Sequence, residues 1–424
     1  MKLLDPASLD LRQMVRSGDS IVVGEAAAEP QTLTEALVAQ RAALGRARVF
    51  LGVGLTATFA PAHRDHLAFT AIGGAVTHRR LARAGCLDVL PCHFSQVGEF
   101  LRDGRIDCDV LFLQVSPADA HGMHSFALAC DYMRAAVERA RVVVAEINRN
   151  APQTPCDAPL SADEIDFAIE TDRPLIELGA AVPGATERRI AAHIEALIPD
   201  RATLQMGIGA IPEAVMGLLG SRRDLGVHSG MIGDAVADLV ERGVVTNAHK
   251  GVDPGVTVAG VLLGTQRLYR FAHRNPALRL APTEVTHGAA ALGRLRRLVS
   301  INSALEVDLT GQVNAEAFGA DYIGAVGGQV DYVRAAARSA DGLSIIALPA
   351  TAGDGSVSRI VASLSGPVTT ARSDVDVVVT EHGVAHLRGR TLRERVRAML
   401  AIAAPEHREA IARAAGDAAR DAAT

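Results

Sequence analysis

Two glycine-rich segments and one pair of carboxylates are the parts of this chain whose residue types and spacing could do chemistry. In the first segment, residues 204–206 are predicted to end a strand, and Pro212 to be the first residue of a helix. Glycine lets a ligand approach the backbone, and a helix N-terminus offers unpaired N–H groups and a partial positive charge. A plain tight turn has the same pattern. The functional alternative is a phosphate or oxyanion site formed by Gly207, Ile208, Gly209, Ala210 and Ile211.

The second glycine-rich segment follows a strand that we predict over residues 321–326. Successive backbone N–H groups at Gly324, Gly327 and Gly328 could cradle an oxyanion. The alternative is a bulge or a close approach between strands, which would use the same glycines. The residues alone do not choose between these two interpretations.

The carboxylates Glu25 and Glu29 follow a strand predicted over residues 20–23. Open α/β sheets bind ligands at the carboxyl ends of their strands, where the Glu25 carboxylate would lie. Glu29 is better explained as an N-terminal residue of the next helix, favoured by the helix dipole. Glu306 lies in strand-like surroundings and Asp131 precedes an apolar helical run. We therefore expect a structural role for Glu306 and helix capping for Asp131.

The elements that must position these residues alternate between short β-branched runs and longer segments rich in Ala, Leu and Arg. Strands are predicted over residues 47–52, 109–115 and 141–147, with helices over 33–44 and 131–139. This alternation predicts an α/β fold with parallel strands and crossover helices. With 424 residues the chain is long enough for two domains, which we predict over residues 1–195 and 196–424.

The composition argues against several classes of protein. The formal net charge is −5 and no Lys/Arg tract stands out, so a nucleic-acid partner is not expected. No run approaches the ~18 consecutive apolar residues that a membrane span needs. The five cysteines are dispersed without a CxxC pair, which is typical of reduced thiols in a cytoplasmic protein. No metal site is expected, because metal-ligand spacing is missing among His63, His66, His78 and His93.

Several segments, in order along nearly the whole chain, resemble the acetyl-CoA hydrolase/CoA-transferase family, in particular its 4-hydroxybutyrate CoA-transferase-like branch. The segments are VSPADAHG at 115–122, LQMGIGAIP at 204–212, SINSALEVD at 300–308, VGGQ at 326–329 and VTEHGVA at 379–385. Each of them is a weak signal alone. Their order and spacing together carry the resemblance.

The resemblance implies two similar open α/β domains with the active site between them. It also implies an acyl-CoA:carboxylate CoA-transferase, in which a glutamate attacks the thioester, forms an acyl-glutamyl anhydride and then carries CoA as a glutamyl thioester. By similarity, residues 207–211 would line the CoA site, and Gly324, Gly327 and Gly328 would lie at the thioester. Coenzyme A is then a substrate, no cofactor is needed, and a homodimer or higher homo-oligomer is expected.

The chain departs from the family pattern at the nucleophile. The family segment reads His-Thr-Glu-Met, whereas this chain has His228, Ser229, Gly230 and Met231, so that glycine stands where the catalytic glutamate is expected. An anhydride cannot form on a residue without a side chain. Glu25 is the natural substitute, because the branch usually has a non-acidic residue at that place, on the loop that faces the nucleophile.

Three interpretations of this departure stay open. Glu25 replaces the nucleophile and the protein is a transferase, or Glu25 activates water and the protein is an acyl-CoA hydrolase, or the protein binds CoA esters without turnover. A nicotinamide-dependent oxidoreductase is disfavoured, because the third glycine of the dinucleotide fingerprint is missing. We expect a small acid, dicarboxylic or hydroxylated, as the substrate. Its carboxylate would need a cationic pocket, for which the candidates are Arg79, Arg334, Arg359 and Arg372.

Overall fold

The first half of the chain forms an eight-stranded parallel sheet. The computed structural model describes residues 1–319 and 321–416. The strands are β1 (Lys2–Leu4), β2 (Ser20–Val23), β3 (Ala47–Leu51), β4 (Leu67–Ala71), β5 (Leu87–Val89), β6 (Val110–Val115), β7 (Val142–Asn148) and β8 (Phe167–Thr171). Their order is β1-β8-β7-β6-β2-β3-β4-β5. The central strand β6 is buried at every position, as its continuous apolar run requires of a parallel strand covered on both faces.

The second half forms another eight-stranded sheet of the same kind. Its strands are β9 (Thr203–Met206), β10 (Gly226–Ile232), β11 (Thr257–Leu262), β12 (Leu278–Leu280), β13 (Leu298–Ser303), β14 (Leu343–Ala347), β15 (Val377–Thr380) and β16 (Gly383–His386). Their order is β12-β11-β10-β9-β13-β14-β15-β16. The edge strand β16 runs antiparallel to β15. The predicted fold class, two similar open α/β domains, is therefore confirmed.

Crossover helices cover the two sheets, and both sheets contribute to one apolar core. The α-helices are α1 (Gln31–Leu44), α2 (Arg79–Arg83), α3 (Val97–Arg102), α4 (Met133–Arg139), α5 (Ala185–Glu195), α6 (Ala210–Leu218), α7 (Asp234–Glu241), α8 (Gln266–Ala272), α9 (Thr283–Thr286), α10 (Ala289–Leu292), α11 (Gln329–Arg338), α12 (Leu392–Ile402) and α13 (Arg408–Ala414). The largest cluster of buried apolar side chains contains residues of both halves, such as Leu111 and Val299. The two sheets are thus held against each other by packing. Among the described residues, no helix has the length and apolar character that crossing a membrane requires.

Two details differ from the sequence-based expectations. Helix α6 begins at Ala210, so Pro212 is its third residue and not its first. The strand predicted over 321–326 is wrong beyond Tyr322, where the strand pairing ends. Residues 324–327 instead form backbone contacts with the first half of the chain. The N–H of Gly74 donates to the Gly324 carbonyl at 2.9 Å, and the N–H of Phe94 donates to the Gly327 carbonyl, also at 2.9 Å. Because these backbone groups bond to the first half of the chain, the segment does not continue as a strand despite its local strand propensity.

The division at residues 195 and 196 stays a prediction. Helix α5, which precedes this division, packs on α6 and against β15, so its contacts are with the second sheet. Part of the domain predicted over 196–424, namely Ala320 and residues 417–424, lies outside the described residues.

Candidate active site

A cavity of about 310 Å³ lies between the two sheets, at the carboxyl ends of their strands. The loops after β2, β3 and β4 contribute Glu25, Gly52 and Ile72, and strands β9, β10 and β13 or the loops that follow them contribute Gly207, Gly230 and Asn302. This is the edge at which open α/β sheets bind ligands. The geometry therefore brings Glu25, the first glycine segment and Gly230 to one space, although they are far apart in sequence.

Glu25 is held in the wall of this cavity by its neighbours. The side chain is only 3% exposed, and its Oε2 accepts a hydrogen bond from the N–H of Val53 at 2.7 Å. Gly52 leaves the space that the carboxylate and the Tyr132 hydroxyl fill, since a Cβ at position 52 would overlap both. Any larger residue at position 52 would displace Glu25.

Asp131 forms a pair of carboxyl groups with Glu25. Asp131 is fully buried. Among the described residues, no N–H or O–H group donates to its Oδ2, so this oxygen has a partner only if a proton is shared with Glu25. Burial, together with the negative charge of Glu25, raises the pKa of Asp131 well above its ordinary value. Burial also raises the pKa of Glu25, while hydrogen bonds from Asp131, from Val53 and from Tyr132 oppose this rise. The proton therefore resides on Asp131, which donates it to the Glu25 carboxylate.

The proton on Asp131 predicts a pH dependence of stability. Native Asp131 keeps a proton that the unfolded chain loses near the ordinary pKa of 3.8. The native state thus binds more protons above that pH, so the free energy of unfolding falls as pH rises, by up to about 1.4 kcal/mol per unit. Asp131→Asn keeps a donor to Glu25 and removes the part of this slope that comes from Asp131, so the variant gains stability relative to wild type between about pH 5 and pH 7. Chemical denaturation at several pH values measures this gain.

The matched control for that measurement is Asp163→Asn, because Asp163 is an exposed carboxylate that does not line the cavity. It should follow the wild-type curve at every pH. Equal slopes for wild type and Asp131→Asn would contradict the shared proton.

The ring of His287 occupies the space beside Gly230. A Cβ at position 230 would lie 2.5 Å from the His287 Cε1 atom and 2.6 Å from its Nε2, closer than Cβ contacts are in folded proteins. The same ring packs on Gly328, where a Cβ would lie 2.5 Å from Nε2. His287 is buried, and burial lowers its pKa to about 3, so the imidazole is neutral. The neutral His287 ring therefore occupies the space that the Cβ atom of a larger residue at position 230 would need.

Of the predicted glycine-loop residues, the cavity brings together four and leaves four outside. Gly207, Ile208, Gly327 and Gly328 line it, and Gly328 also precedes the first residue of α11. Gly209 precedes helix α6, and Ala210 and Ile211 form its first turn, behind the cavity wall. Gly324 packs against the Ala315 backbone, and its N–H donates to the Glu316 carbonyl at 2.8 Å. That N–H is therefore not available to an oxyanion.

The other carboxylates weighed from the sequence lie outside the large cavity. Glu29 accepts hydrogen bonds from the hydroxyls of Thr34 (2.9 Å) and Thr56 (2.6 Å). Glu306 accepts from Asn314 Nδ2 at 2.9 Å and from the N–H of Ser365 at 2.6 Å, so its predicted structural role agrees with its surroundings.

None of the four candidate arginines lines the cavity. Arg79 pairs with Asp321, and Arg334 pairs with Asp374 at 2.9 Å. Arg359 is half-buried with Glu381 nearby, and Arg372 is exposed. None of them is therefore placed to bind a substrate carboxylate inside this cavity, and a role for any of them in substrate binding stays a prediction.

Sequence reasoning missed two residues of the site, Asp131 and His287. We expect Asp131 to cap a helix, and its Oδ1 does accept a hydrogen bond from the N–H of Tyr132, the N-cap residue of α4. The pairing of the same carboxyl group with Glu25 is what the sequence did not indicate. The chain carries no local signal of this pairing, because Glu25 lies more than a hundred positions from Asp131. For His287, whose ring contacts Gly230 across 57 positions of sequence, the chain carries no local signal.

The fold and the cavity define an open α/β protein with its site between two related sheets, and comparisons with known proteins identify the family. The model of the acetyl-CoA hydrolase/transferase N-terminal domain matches residues 5–177, and that of the C-terminal domain matches residues 264–415. The 4-hydroxybutyrate coenzyme A transferase of Clostridium kluyveri is 43% identical over 342 residues, which cover 80% of this chain and 79% of that protein. The succinyl-CoA:cyclohexane-1-carboxylate CoA transferase of Geobacter metallireducens is 36% identical over 405 residues, covering 95% and 92%.

Solved structures agree with these matches. RipA from Yersinia pestis superposes with a TM-score of 0.92 at 32% identity, covering 98% of this chain and 97% of that one. A 4-hydroxybutyrate CoA-transferase from Porphyromonas gingivalis gives 0.84 at 35% identity, covering 97% of both. The chain belongs to the acetyl-CoA hydrolase/transferase family. Its CoA-transferase homologues support the predicted acyl-CoA:carboxylate CoA-transferase activity.

Proposed function

We propose that the protein moves coenzyme A between an acyl-CoA and a small carboxylic acid, with Glu25 as the carboxylate nucleophile. The observation that carries this proposal is the position of Glu25 in the wall of the cavity that also holds Gly207, Gly230 and Gly328. Burial raises the pKa of Glu25, and the hydrogen bond from the neighbouring Asp131 opposes this rise and so favours the carboxylate form that attacks.

The reaction balances with the groups of this cavity. An oxygen of Glu25 attacks the thioester carbonyl, the C–S bond breaks, and CoA leaves as a thiolate from an acyl-glutamyl anhydride. The thiolate attacks the glutamyl carbonyl and releases the first acid, leaving a glutamyl-CoA thioester. The second acid then reverses both steps and regenerates the Glu25 carboxylate. Neither a metal nor a redox cofactor takes part.

Each addition step creates an oxyanion that needs hydrogen-bond donors. Gly327 and Gly328 bring backbone to the cavity wall, and Gly328 immediately precedes α11, whose N-terminal end carries a partial positive charge. We assign these groups to the thioester oxygen. Gly207 and Ile208, on the facing wall before α6, are assigned to the CoA moiety.

Borohydride reduction tests the covalent intermediate. The protein, in buffer containing a chelator, is incubated with acyl-CoA without an acceptor and then reduced, so that a glutamyl-CoA thioester becomes an alcohol on one glutamate. Peptide mass analysis should find this change on Glu25. A modified glutamate elsewhere would overturn the assignment of Glu25. Loss of the modification in the buffer with chelator, compared with the same buffer without it, would overturn the mechanism without a metal.

An acyl-CoA hydrolase is the second candidate, and the buried carboxyl pair is the observation that favours it. Burial raises the pKa of Glu25, which suits a general base that takes a proton from water. A hydrolase would release free CoA from acyl-CoA alone and leave no reduced glutamate. Binding of acyl-CoA without release of CoA would instead indicate a protein that binds CoA esters without turnover.

We also propose that the enzyme works in the cytoplasm as a homodimer or higher homo-oligomer. The five cysteines are all unpaired thiols in the described structure, which suits a reducing compartment. Light scattering of the purified protein measures the assembly, and a mass equal to one chain of 44.3 kDa would contradict the oligomer.

A further inference from the structure

The large cavity combines a single carboxylate, Glu25, with a wall that is otherwise uncharged. Of the residues that the structure describes, no lysine or arginine lines it. Most of the lining is apolar and comes from both sheets: Val53, Ile72, Ala75, Phe94, Met206, Ile208, Met231, Val261 and Ala325. A substrate group that enters this space therefore meets hydrocarbon surface and no cationic partner.

The polar side chains of the wall are already paired with other groups of the protein. Gln205 and Asn302 exchange hydrogen bonds, at 3.3 Å and 3.1 Å. The Ser229 hydroxyl donates to the Met206 carbonyl at 3.0 Å, and Gln329 Nε2 donates to the Ser303 carbonyl at 2.8 Å. These hydrogen bonds hold the neutral side chains in place, and none of the groups carries a positive charge.

Aromatic rings form the part of the wall next to the reacting groups. Phe94 lies with its ring centroid 4.9 Å from that of His287 and 6.1 Å from that of Tyr132. His287 packs on Gly230 and also lies 4.9 Å from the ring of Tyr332, while the Tyr132 hydroxyl faces the Glu25 carboxylate. An acyl chain attached to a thioester carbon in reach of Glu25 therefore lies against the rings that line the cavity, those of Phe94, His287 and Tyr332.

The two histidines of the wall do not supply a positive charge either. Burial lowers the pKa of His78 to about 4 and that of His287 to about 3, so both rings are neutral near pH 7. Since no Lys or Arg side chain is among the described lining residues either, the wall carries no positive charge near pH 7.

We propose that the acyl subsite takes an uncharged, apolar acyl group from a monocarboxylic acid, and that it rejects an acyl group with a second carboxylate. This inference rests on the proposed role of Glu25, which fixes where the thioester lies. A second carboxylate, away from the groups assigned to the thioester oxygen, would lose hydration in this wall without a cationic partner to compensate. This proposal puts an apolar monocarboxylic acid in place of the dicarboxylic acid considered from the sequence.

The kinetic test compares butyryl-CoA with succinyl-CoA, because the two acyl chains have the same number of carbons and differ in a terminal methyl or carboxylate. With the wild-type enzyme and acetate as acceptor, kcat/KM should be at least about 100-fold higher for butyryl-CoA. Equal values, or a preference for succinyl-CoA, would overturn the inference.

A binding test separates this inference from the proposed function. The thioethers S-butyl-CoA and S-(3-carboxypropyl)-CoA cannot react, so calorimetry with the wild-type protein reports the subsite alone. Binding of S-butyl-CoA should be at least about tenfold tighter. That result supports the apolar subsite even if no thioester is turned over, in which case only the proposed function fails. Tighter binding of the carboxypropyl compound would overturn the subsite.

A change at Met231 tests the cause of the selectivity. Met231 lines the cavity beside Gly230 and is partly exposed, so a lysine can be accommodated there. Met231→Lys should reduce the preference for S-butyl-CoA at least about tenfold, since it supplies the missing cation. Met231→Leu, which changes shape without adding charge, should keep the wild-type preference. An unchanged preference in folded Met231→Lys would contradict the electrostatic explanation.

Discussion

Replacing Glu25 by glutamine should abolish CoA exchange, lowering kcat/KM by a factor on the order of 10⁴ or more, as losing a nucleophile does in other covalent enzymes. The amide keeps the size of the side chain and an oxygen that can accept from the N–H of Val53. It is not a nucleophile, so no anhydride can form. Binding of acyl-CoA should stay near the wild-type value, because the glycine loops that we assign to CoA are unchanged. Steady-state exchange assays and calorimetry measure these two quantities.

Glu29→Gln is the matched control for this prediction. Glu29 is also buried, lies four positions away on the same loop and makes hydrogen bonds to threonine hydroxyls, but it does not line the large cavity. Its variant should therefore retain exchange within about threefold. Full activity in Glu25→Gln would overturn the role of Glu25, whereas loss of activity in both variants would point to damage of the loop.

Replacing Gly230 by alanine should lower the free energy of unfolding by about 1–3 kcal/mol, because the new methyl group overpacks the site. The Cβ would lie 2.5 Å from His287 Cε1, and the His287 ring is held between Phe94 and Tyr332. The ring cannot move away without disturbing that stack. Chemical denaturation of the variant and the wild type measures the difference.

A double-mutant cycle identifies the ring as the cause. His287→Ala removes the obstacle, so Gly230→Ala should cost less in that background, with a coupling free energy of about 0.5–3 kcal/mol. Gly207→Ala is the control within the same cavity, since nothing lies within 4 Å of its added Cβ. It should be within about 0.5 kcal/mol of wild type, like other substitutions without steric conflict. Additive effects in the cycle would show that His287 does not occupy the space.

The chain departs from its family pattern at Gly230 and in the residues around it. By resemblance, Gly230 stands where a glutamate is expected, and that assignment stays a prediction. The structure adds that His287 fills the adjoining space, while Glu25 lines the same cavity and is paired with the buried Asp131. A glutamate restored at position 230 alone would meet the ring, so returning to the family pattern would require a change at His287 as well.

The local pattern of the sequence determined the fold class and the first site residues. Alternating β-branched and Ala/Leu-rich segments predicted strands such as β2 and β6, and turn residues placed Gly207 and Glu25 at strand ends. These features depend on neighbours within a few positions, which is why they can be read from the chain. The strand predicted near Gly324 failed because the backbone there bonds to Gly74, far away in sequence.

The surroundings of the proposed nucleophile depend on contacts between residues that are far apart in sequence. Asp131 is more than a hundred positions from Glu25, and His287 is 57 positions from Gly230, so no local pattern links the members of either pair. The charge of the cavity is likewise a property of packing: the chain has many arginines, but those considered from the sequence lie outside it. The fold class, the family resemblance and the candidate carboxylate can all be predicted from the amino-acid order alone. The partner that holds the proton, the ring beside Gly230 and the uncharged wall follow from long-range packing, which sets the burial and the pKa of each group.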